Sequence, residues 1–261
     1  MCTVPPSTEI LLRLTQDALP VFYCCAAGYE GRAMPGVTMA LSGEPVADLN
    51  YLVVDAASES AQAGFRSLVG HCDAQDLPFA VIVAPAVAEA LEPLRAELDL
   101  VYDTDWPLMV CPGEAVQDHP REGVQVRPVR DEVDQQGLAR VLAGAFQMPV
   151  ESVLRAMPRH LFDSPSIEGW VAEWDGQVQS TVTATWHGSV VGIWAMGTAP
   201  DAQGQGVGKA LLSRAMHDAR RRGAEAFFLG ATPSGFPLYE RLGYATVADC
   251  PIWVRGVTHQ A

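Results

Sequence analysis

Basic side chains are scarce. Lysine and arginine total 17 against 31 aspartates and glutamates, a formal net charge of −14. So acidic a chain is repelled by phosphate backbones and anionic bilayers, and neither nucleic acid nor a membrane is an expected partner. No C-x-x-C pair occurs among Cys2, Cys24, Cys25, Cys72, Cys111 and Cys250. Neither a disulfide set nor a metal site is therefore expected; most of these cysteines stand among apolar neighbours and read as buried, reduced thiols.

Long apolar runs are missing too. Thr181 to Pro200 carries no charge, but His187, Gly188, Ser189 and Gly192 interrupt it. It reads as two strands around a turn, not as a membrane span. The N-terminus shows no basic segment followed by an apolar stretch and a cleavage site, so a soluble, cytoplasmic protein is expected.

What is present suffices for packed cores, since 49% of residues are hydrophobic and 18% charged. A length of 261 residues suits one large domain or two of ordinary size. The charge is uneven. Residues 1–122 hold 5 basic and 18 acidic side chains, and residues 123–261 hold 12 and 13. An anionic cofactor is better hosted by the second, near-neutral half.

The first half reads as a helix from Ser7 to Leu19 and strands Gly36 to Leu41 and Tyr51 to Asp55. Helix Ala61 to Cys72, strand Phe79 to Ala84, helix Ala86 to Leu98 and strand Pro107 to Cys111 follow. A polar stretch, 113–123, reads as a linker. The second half restarts with strand Val124 to Pro128 and helix Asp131 to Phe146. Strands Trp170 to Trp174 and Val178 to Trp186 flank the Asp175-Gly176 turn, and Val190 to Thr198 follows. Helix Val207 to Arg222, strand Ala226 to Gly230, helix Pro237 to Leu242 and strand Ile252 to Arg255 complete it. The predicted class is α+β, a mixed, mostly antiparallel sheet flanked by helices.

An offset of 144 superimposes the halves. Leu98 falls on Leu242, Asp105 on Asp249, Pro107 on Pro251, Gly64 on Gly208 and Leu68 on Leu212. The shared register and element order point to a duplication.

Between the strand ending near Thr198 and the following helix lies Gln203-Gly204-Gln205-Gly206-Val207-Gly208-Lys209. Glycines let a backbone approach a ligand closely, and a helix start adds unpaired N–H groups and a positive dipole end. A Walker A loop is excluded, because Gln203 stands where glycine is needed and Ala210 where a hydroxyl must hold magnesium. A dinucleotide fingerprint fails at Lys209, its third glycine position.

The pattern that remains, [QR]-x-x-G-x-[GA], is met by Gln203, Gly206 and Gly208. With Leu238-Tyr239-Glu240-Arg241-Leu242-Gly243-Tyr244 downstream, the sequence resembles the GNAT superfamily of N-acetyltransferases over roughly 124–256. The resemblance implies a GNAT-like chain in two tandem copies: 1–112 a degenerate copy without a cofactor site, and 124–261 the catalytic, acetyl-CoA-binding one. It implies that Met196, Gly197 and Thr198 pair with the pantetheine arm, and that the N–H groups from Gln203 through Gly204, Gln205, Gly206, Val207 and Gly208 to Lys209 hold the pyrophosphate. Lys209 reads equally as a phosphate partner or a solvated helix residue.

By the same resemblance Tyr239 protonates the departing thiolate, against the alternative of a packed core tyrosine. Thr232 stands where the family often has an asparagine that meets the cofactor. The strand Val190 to Thr198 has no Asp or Glu for a general base, and His187 reads as a surface residue at a hairpin tip. Trp194 reads as core, with a place in an acceptor pocket as its alternative. The run Arg220-Arg221-Arg222 reads as a solvated helix end rather than a phosphate site.

At the offset of 144, Glu59 and Gln62 take the places of Gln203 and Gly206, and Arg95 that of Tyr239. The expected activity is direct transfer of acetyl from acetyl-CoA to an amine, a small one for preference given the acidic first half. The alternatives are a non-catalytic acyl-CoA sensor and a scaffold degenerate in both copies.

Overall fold

The computed structural model describes residues 6–256; Cys2 lies outside them. Ser7 accepts a hydrogen bond from the Ile10 N–H and opens helix α1, Thr8–Tyr23, whose buried Leu11, Leu12 and Leu19 share one face. Strands β1 (Glu30–Met34), β2 (Val37–Leu41) and β3 (Asn50–Val54) form an antiparallel meander. Helix α2 (Glu59–Ala74) carries the chain over to β4 (Phe79–Val83), parallel to β3. Helix α3 (Pro85–Glu97) then leads to β5 (Val101–Pro112).

The second half begins with β6 (Gln125–Pro128), helix α4 (Glu132–Phe146) capped by the Asp131 carboxylate, and a short helix α5 (Val150–Ala156). Its meander is β7 (Ile167–Trp174), β8 (Gln177–His187) and β9 (Val190–Thr198). Helix α6 (Val207–Arg221), parallel strand β10 (Ala226–Gly230), helix α7 (Phe236–Arg241) and β11 (Ala245–Arg255) repeat the earlier order. No helix among the described residues is long and apolar enough to cross a membrane.

All eleven strands form one mixed, mostly antiparallel sheet, ordered β1-β2-β3-β4-β11-β5-β10-β9-β8-β7-β6. Each half sends its last strand into the other. β11 pairs with β4, and β5 pairs with β10. β5 and β11 run antiparallel beside each other, with Trp106 opposite Cys250, its counterpart at the offset of 144. Pro107 faces Asp249 and Asp105 faces Pro251, so the offset maps each pair onto the other. The two bulges in this ladder skip Asp103 on β5 and Val247 on β11, again 144 apart. A pseudo-twofold axis therefore passes through the Trp106–Cys250 pair.

One face of the sheet carries a core common to both halves, with α1, α4 and α5 against it. The opposite face divides into a core under α6 and α7 and another under α2 and α3. Arg155 on α5 forks onto the Glu44 carboxylate at 2.6 and 2.7 Å, joining the halves on the shared face.

The structure corrects several expectations. β1, α5 and a 3-10 turn at Arg159–Asp163 are additional elements, and β5 and β11 extend well beyond 107–111 and 252–255. Their outer residues alternate poorly because pairing across the two halves, invisible in local periodicity, holds them in the sheet. Cys72, Cys111 and Cys250 are buried free thiols, with burial pushing the first and last up to about 12. Cys24 is exposed and Cys25 half-buried, because they follow the end of α1 where the chain turns.

The linker is strapped down. Gly113 N–H donates to Glu225 O at 2.7 Å, His119 N–H to Ser213 Oγ at 3.0 Å, and Arg214 pairs with Asp118 at 3.3 Å. Residues 113–123 thus run back along α6 towards its N-terminus.

Candidate active site

The site begins where two parallel strands part. β9 pairs with β10 only over Val190, Val191 and Gly192, while β10 stays with β5 as far as Gly230 opposite Leu108. On its other side β9 follows β8 to Thr198, across a bulge between the Gly197–Thr181 and Trp194–Thr183 pairs. Ala195, inside the bulge, has φ +46°. An L-residue held there stores strain, and such strain concentrates at working sites. The bulge bends β9 away from β10, and a fork opens with Met196, Gly197 and Thr198 on one wall. Gly230 and Ala231 form the other, where the Ala231 N–H is already held by Pro107 O at 2.9 Å.

The end of β9 is fixed from behind. Ser180 Oγ donates to Gly197 O at 2.6 Å and meets Thr198 Oγ1 at 2.9 Å. Gln203 Nε2 donates to Thr198 O at 3.2 Å and Gln205 Nε2 to Asp201 O at 2.7 Å, so both glutamines brace the turn with their side chains.

Gly206 is the N-cap of α6, with φ +81° and no side chain to cap the helix. The first helical bond runs from Ala210 N to Gly206 O. The N–H groups of Val207, Gly208 and Lys209 therefore meet no acceptor among the described residues, in a turn whose residues 203–206 are all exposed. Free donors at the positive end of a 15-residue helix suit an anion. Gly208 serves a different purpose. A Cβ there would lie 2.6 Å from Thr198 Oγ1 and 3.1 Å from Met196 Cε, so its absence lets the helix start seat against the fork. Lys209, the chain's single lysine, is half-buried in the first turn.

Tyr239 on α7 is only 6% exposed and stands edge-to-face with Tyr244 at 5.9 Å. Burial raises its phenol above the ordinary value, so it stays protonated through neutral pH. The Tyr244 hydroxyl donates to Met216 Sδ, whereas that of Tyr239 has no partner among the described residues. A hydroxyl left free on a buried ring is available to a ligand. Thr232 holds the entry to α7, with Oγ1 accepting from Gly235 N–H at 3.2 Å and lying 3.2 Å from Ser234 Oγ.

His187 is not a surface residue. It is the last residue of β8, half-buried, 3.1 Å from Thr185 Oγ1 and 6.3 Å from the Phe228 ring. Helix α1 of the other half covers this end of the hairpin, and burial lowers the imidazole's proton affinity, with Asp17 opposing. Trp194 is packed on the same face, its Nε1 donating to Thr185 Oγ1 at 2.7 Å. Arg222 pairs with Glu168 and stacks over Trp186, at the far end of α6 and roughly 22 Å from the turn. A cavity of about 560 Å³ between α1 and the first meander, lined by Arg13, Asp17 and Asp55 among others, lies away from the fork.

Residues 136–244, which contain the bulged strand, the turn and Tyr239, match the Acetyltransferase (GNAT) family model. The matched stretch, less than half of the chain, lies wholly within the second half. A mycothiol acetyltransferase of Saccharomonospora viridis is 29% identical over 163 residues, covering 54% of this chain and 53% of that protein. The match thus spans about half the length of this curated relative. The fold resembles a GCN5-related N-acetyltransferase from Kribbella flavida, with a TM-score of 0.71 at 17% identity, covering 96% of this chain and 97% of that one. A tandem GNAT protein from the clavulanic acid biosynthesis pathway gives 0.56 at 11% identity over 98% of both chains. The GNAT fold therefore extends over the whole sheet, including the half outside the family match.

The corresponding junction in the first half is closed. β3 and β4 pair to their ends, from Tyr51–Ala80 to Val54–Val83, and Ala84 N–H still reaches Val54 O. No fork opens. The loop 55–58 before α2 is four residues, against eight in 199–206. The offset of 144 therefore does not carry through this loop, and Ser58, not Gln62, stands at the place of Gly206. The Ser58 hydroxyl accepts from Ala61 N–H at 3.3 Å, filling a donor whose counterpart at the turn before α6 meets no acceptor among the described residues. Arg95 is occupied by Glu92 and by Leu100 O at 2.8 Å.

Proposed function

We propose that this chain transfers an acetyl group from acetyl-CoA to an amine, with residues 124–261 as the catalytic copy and 1–112 as a copy without a cofactor site. The observation that supports it most is the presence of three features on the elements β9, α6 and α7 of one half. These are free N–H groups at the turn, an unzipped strand edge, and an unpartnered phenol on a buried ring.

The thioester supplies an activated acetyl carbonyl. The N–H groups from Gly206 to Lys209, with Gln203, Gly204, Gln205, Val207 and Gly208 shaping the turn, bind the pyrophosphate. The β9 edge at Met196, Gly197 and Thr198 orients the amide-bearing arm by strand addition. Thr232 lies at the mouth of the fork on the opposite wall. An amine attacks the carbonyl carbon directly, the carbon–sulfur bond breaks, and Tyr239 gives its proton to the sulfur. The proton lost by the amine returns to the phenol through water, since β9 offers no carboxylate.

A turnover assay following thiol release across a panel of amines tests this reading. Tyr239→Phe is expected to lower kcat by on the order of 100-fold while leaving acetyl-CoA affinity nearly unchanged. Tight binding by the wild type without thiol release for any amine would instead establish an acyl-CoA sensor.

A further inference from the structure

The strap between the halves ends at the helix N-terminus just described. The Arg121 carbonyl accepts from Val124 N–H at 3.2 Å, closing a turn that folds the Arg121 side chain back across the second half. Its guanidinium lies over the Trp174 ring, 4.5 Å from the centroid. Its Nη1 is 3.7 Å and its Cδ 3.9 Å from the point a Cβ on Gly206 would occupy. No carboxylate lies within ion-pair distance of it among the described residues. Its Nε is screened from water and has no acceptor.

This arrangement costs stability as it stands. A buried guanidinium donor without an acceptor is penalised, and a cation beside a helix N-terminus is repelled by the dipole. Trp174 compensates on one ring face only, leaving the donor edge of the guanidinium uncommitted. An anion between Arg121 and the free N–H groups of Val207 and Gly208 removes both penalties at once.

We propose that Arg121, carried by the strap between the two halves, is a ligand of the coenzyme pyrophosphate at the Gly206 turn. The inference rests on the acetyl-CoA reading above and adds a residue from outside the stretch matched to the family. It makes the connection between the halves part of the binding site.

Calorimetric titration of the full chain with acetyl-CoA, dephospho-acetyl-CoA and S-acetylpantetheine tests it, with Arg121→Gln and Arg121→Lys as variants. Loss of a charge-assisted hydrogen bond is expected to raise the Kd for acetyl-CoA roughly 10- to 100-fold in Arg121→Gln, with Arg121→Lys closer to wild type. The same loss is expected for dephospho-acetyl-CoA, and none for S-acetylpantetheine, which has no pyrophosphate. Equal affinity of wild type and Arg121→Gln for acetyl-CoA overturns the inference and leaves the acetyl-CoA reading intact. A loss confined to acetyl-CoA overturns it in favour of the 3′-phosphate, and an equal loss for S-acetylpantetheine reduces Arg121 to a structural role. A wild type that binds none of the three overturns the acetyl-CoA reading itself.

Discussion

From the meander onward the two halves run the same order of strand, helix, strand, helix and strand, and they part most sharply at one junction. In the first, β3 and β4 stay zipped, a four-residue loop follows, and Ser58 caps the next helix. In the second, a bulge at Ala195 pries β9 from β10, an eight-residue turn follows, and the helix starts uncapped at Gly206. Stability and ligand capacity are opposed here. The helix-start donor that Ser58 fills in the first half, Ala61 N–H, has its counterpart at Lys209 N–H, which meets no acceptor among the described residues.

Breaking the open junction should have the largest effect. Gly206→Glu places a β-carbon at φ +81° and a carboxylate against the anion site. Acetyl-CoA affinity is expected to fall by roughly 100-fold in calorimetry, and an unchanged Kd would sink the assignment of the turn. Gly208→Ala acts by packing, since its methyl meets Thr198 Oγ1 at 2.6 Å. About a tenfold loss of affinity is expected, largely recovered in the double variant with Thr198→Ala. A failure of that rescue would show that Gly208 is needed for something other than room.

The closed junction should respond in stability alone. Ser58→Ala removes the α2 cap at an expected cost of about 1 kcal/mol in denaturant unfolding, with acetyl-CoA affinity unchanged. The smallest effect concerns the link between the halves. Arg155 hydrogen-bonds Glu44 and holds its carboxyl below 4.5, the ordinary value. A carboxyl depressed in the folded state stabilises above about pH 4.5, and that contribution disappears as pH falls through its folded pKa. Glu44→Gln should therefore lower Tm slightly at neutral pH and flatten its decline on the acid side. A parallel decline in wild type and variant would remove this pair from the pH response.

Much of this comparison was legible in the sequence. β9 and β10 were bounded to the residue, and α6 to within one, because Gly188-Ser189, Gly206 and Gly223 punctuate strongly periodic runs. The turn is read from Gln203, Gly206 and Gly208. What escaped were features made by the other half. Glu59 and Gln62 were matched to the wrong positions because a four-residue difference in the loop breaks the offset between β3 and α2. His187 was read as exposed because α1, more than 160 residues upstream, covers it. Arg121 carried no local signal: it lay in a polar stretch whose bonds to Ser213 and Glu225 appear only once the chain is folded.

The exchanged strands also bear on how the chain is made. As a ribosome extrudes it, β4 emerges beside a vacancy that β5 does not fill, because β5 belongs next to β10 and β10 has yet to be synthesised. The first half must wait with two bare sheet edges until β11 arrives and closes both. Bare edges recruit other chains. Synthesis rate and chaperone supply, rather than final stability, should then govern how much of this protein reaches its native sheet.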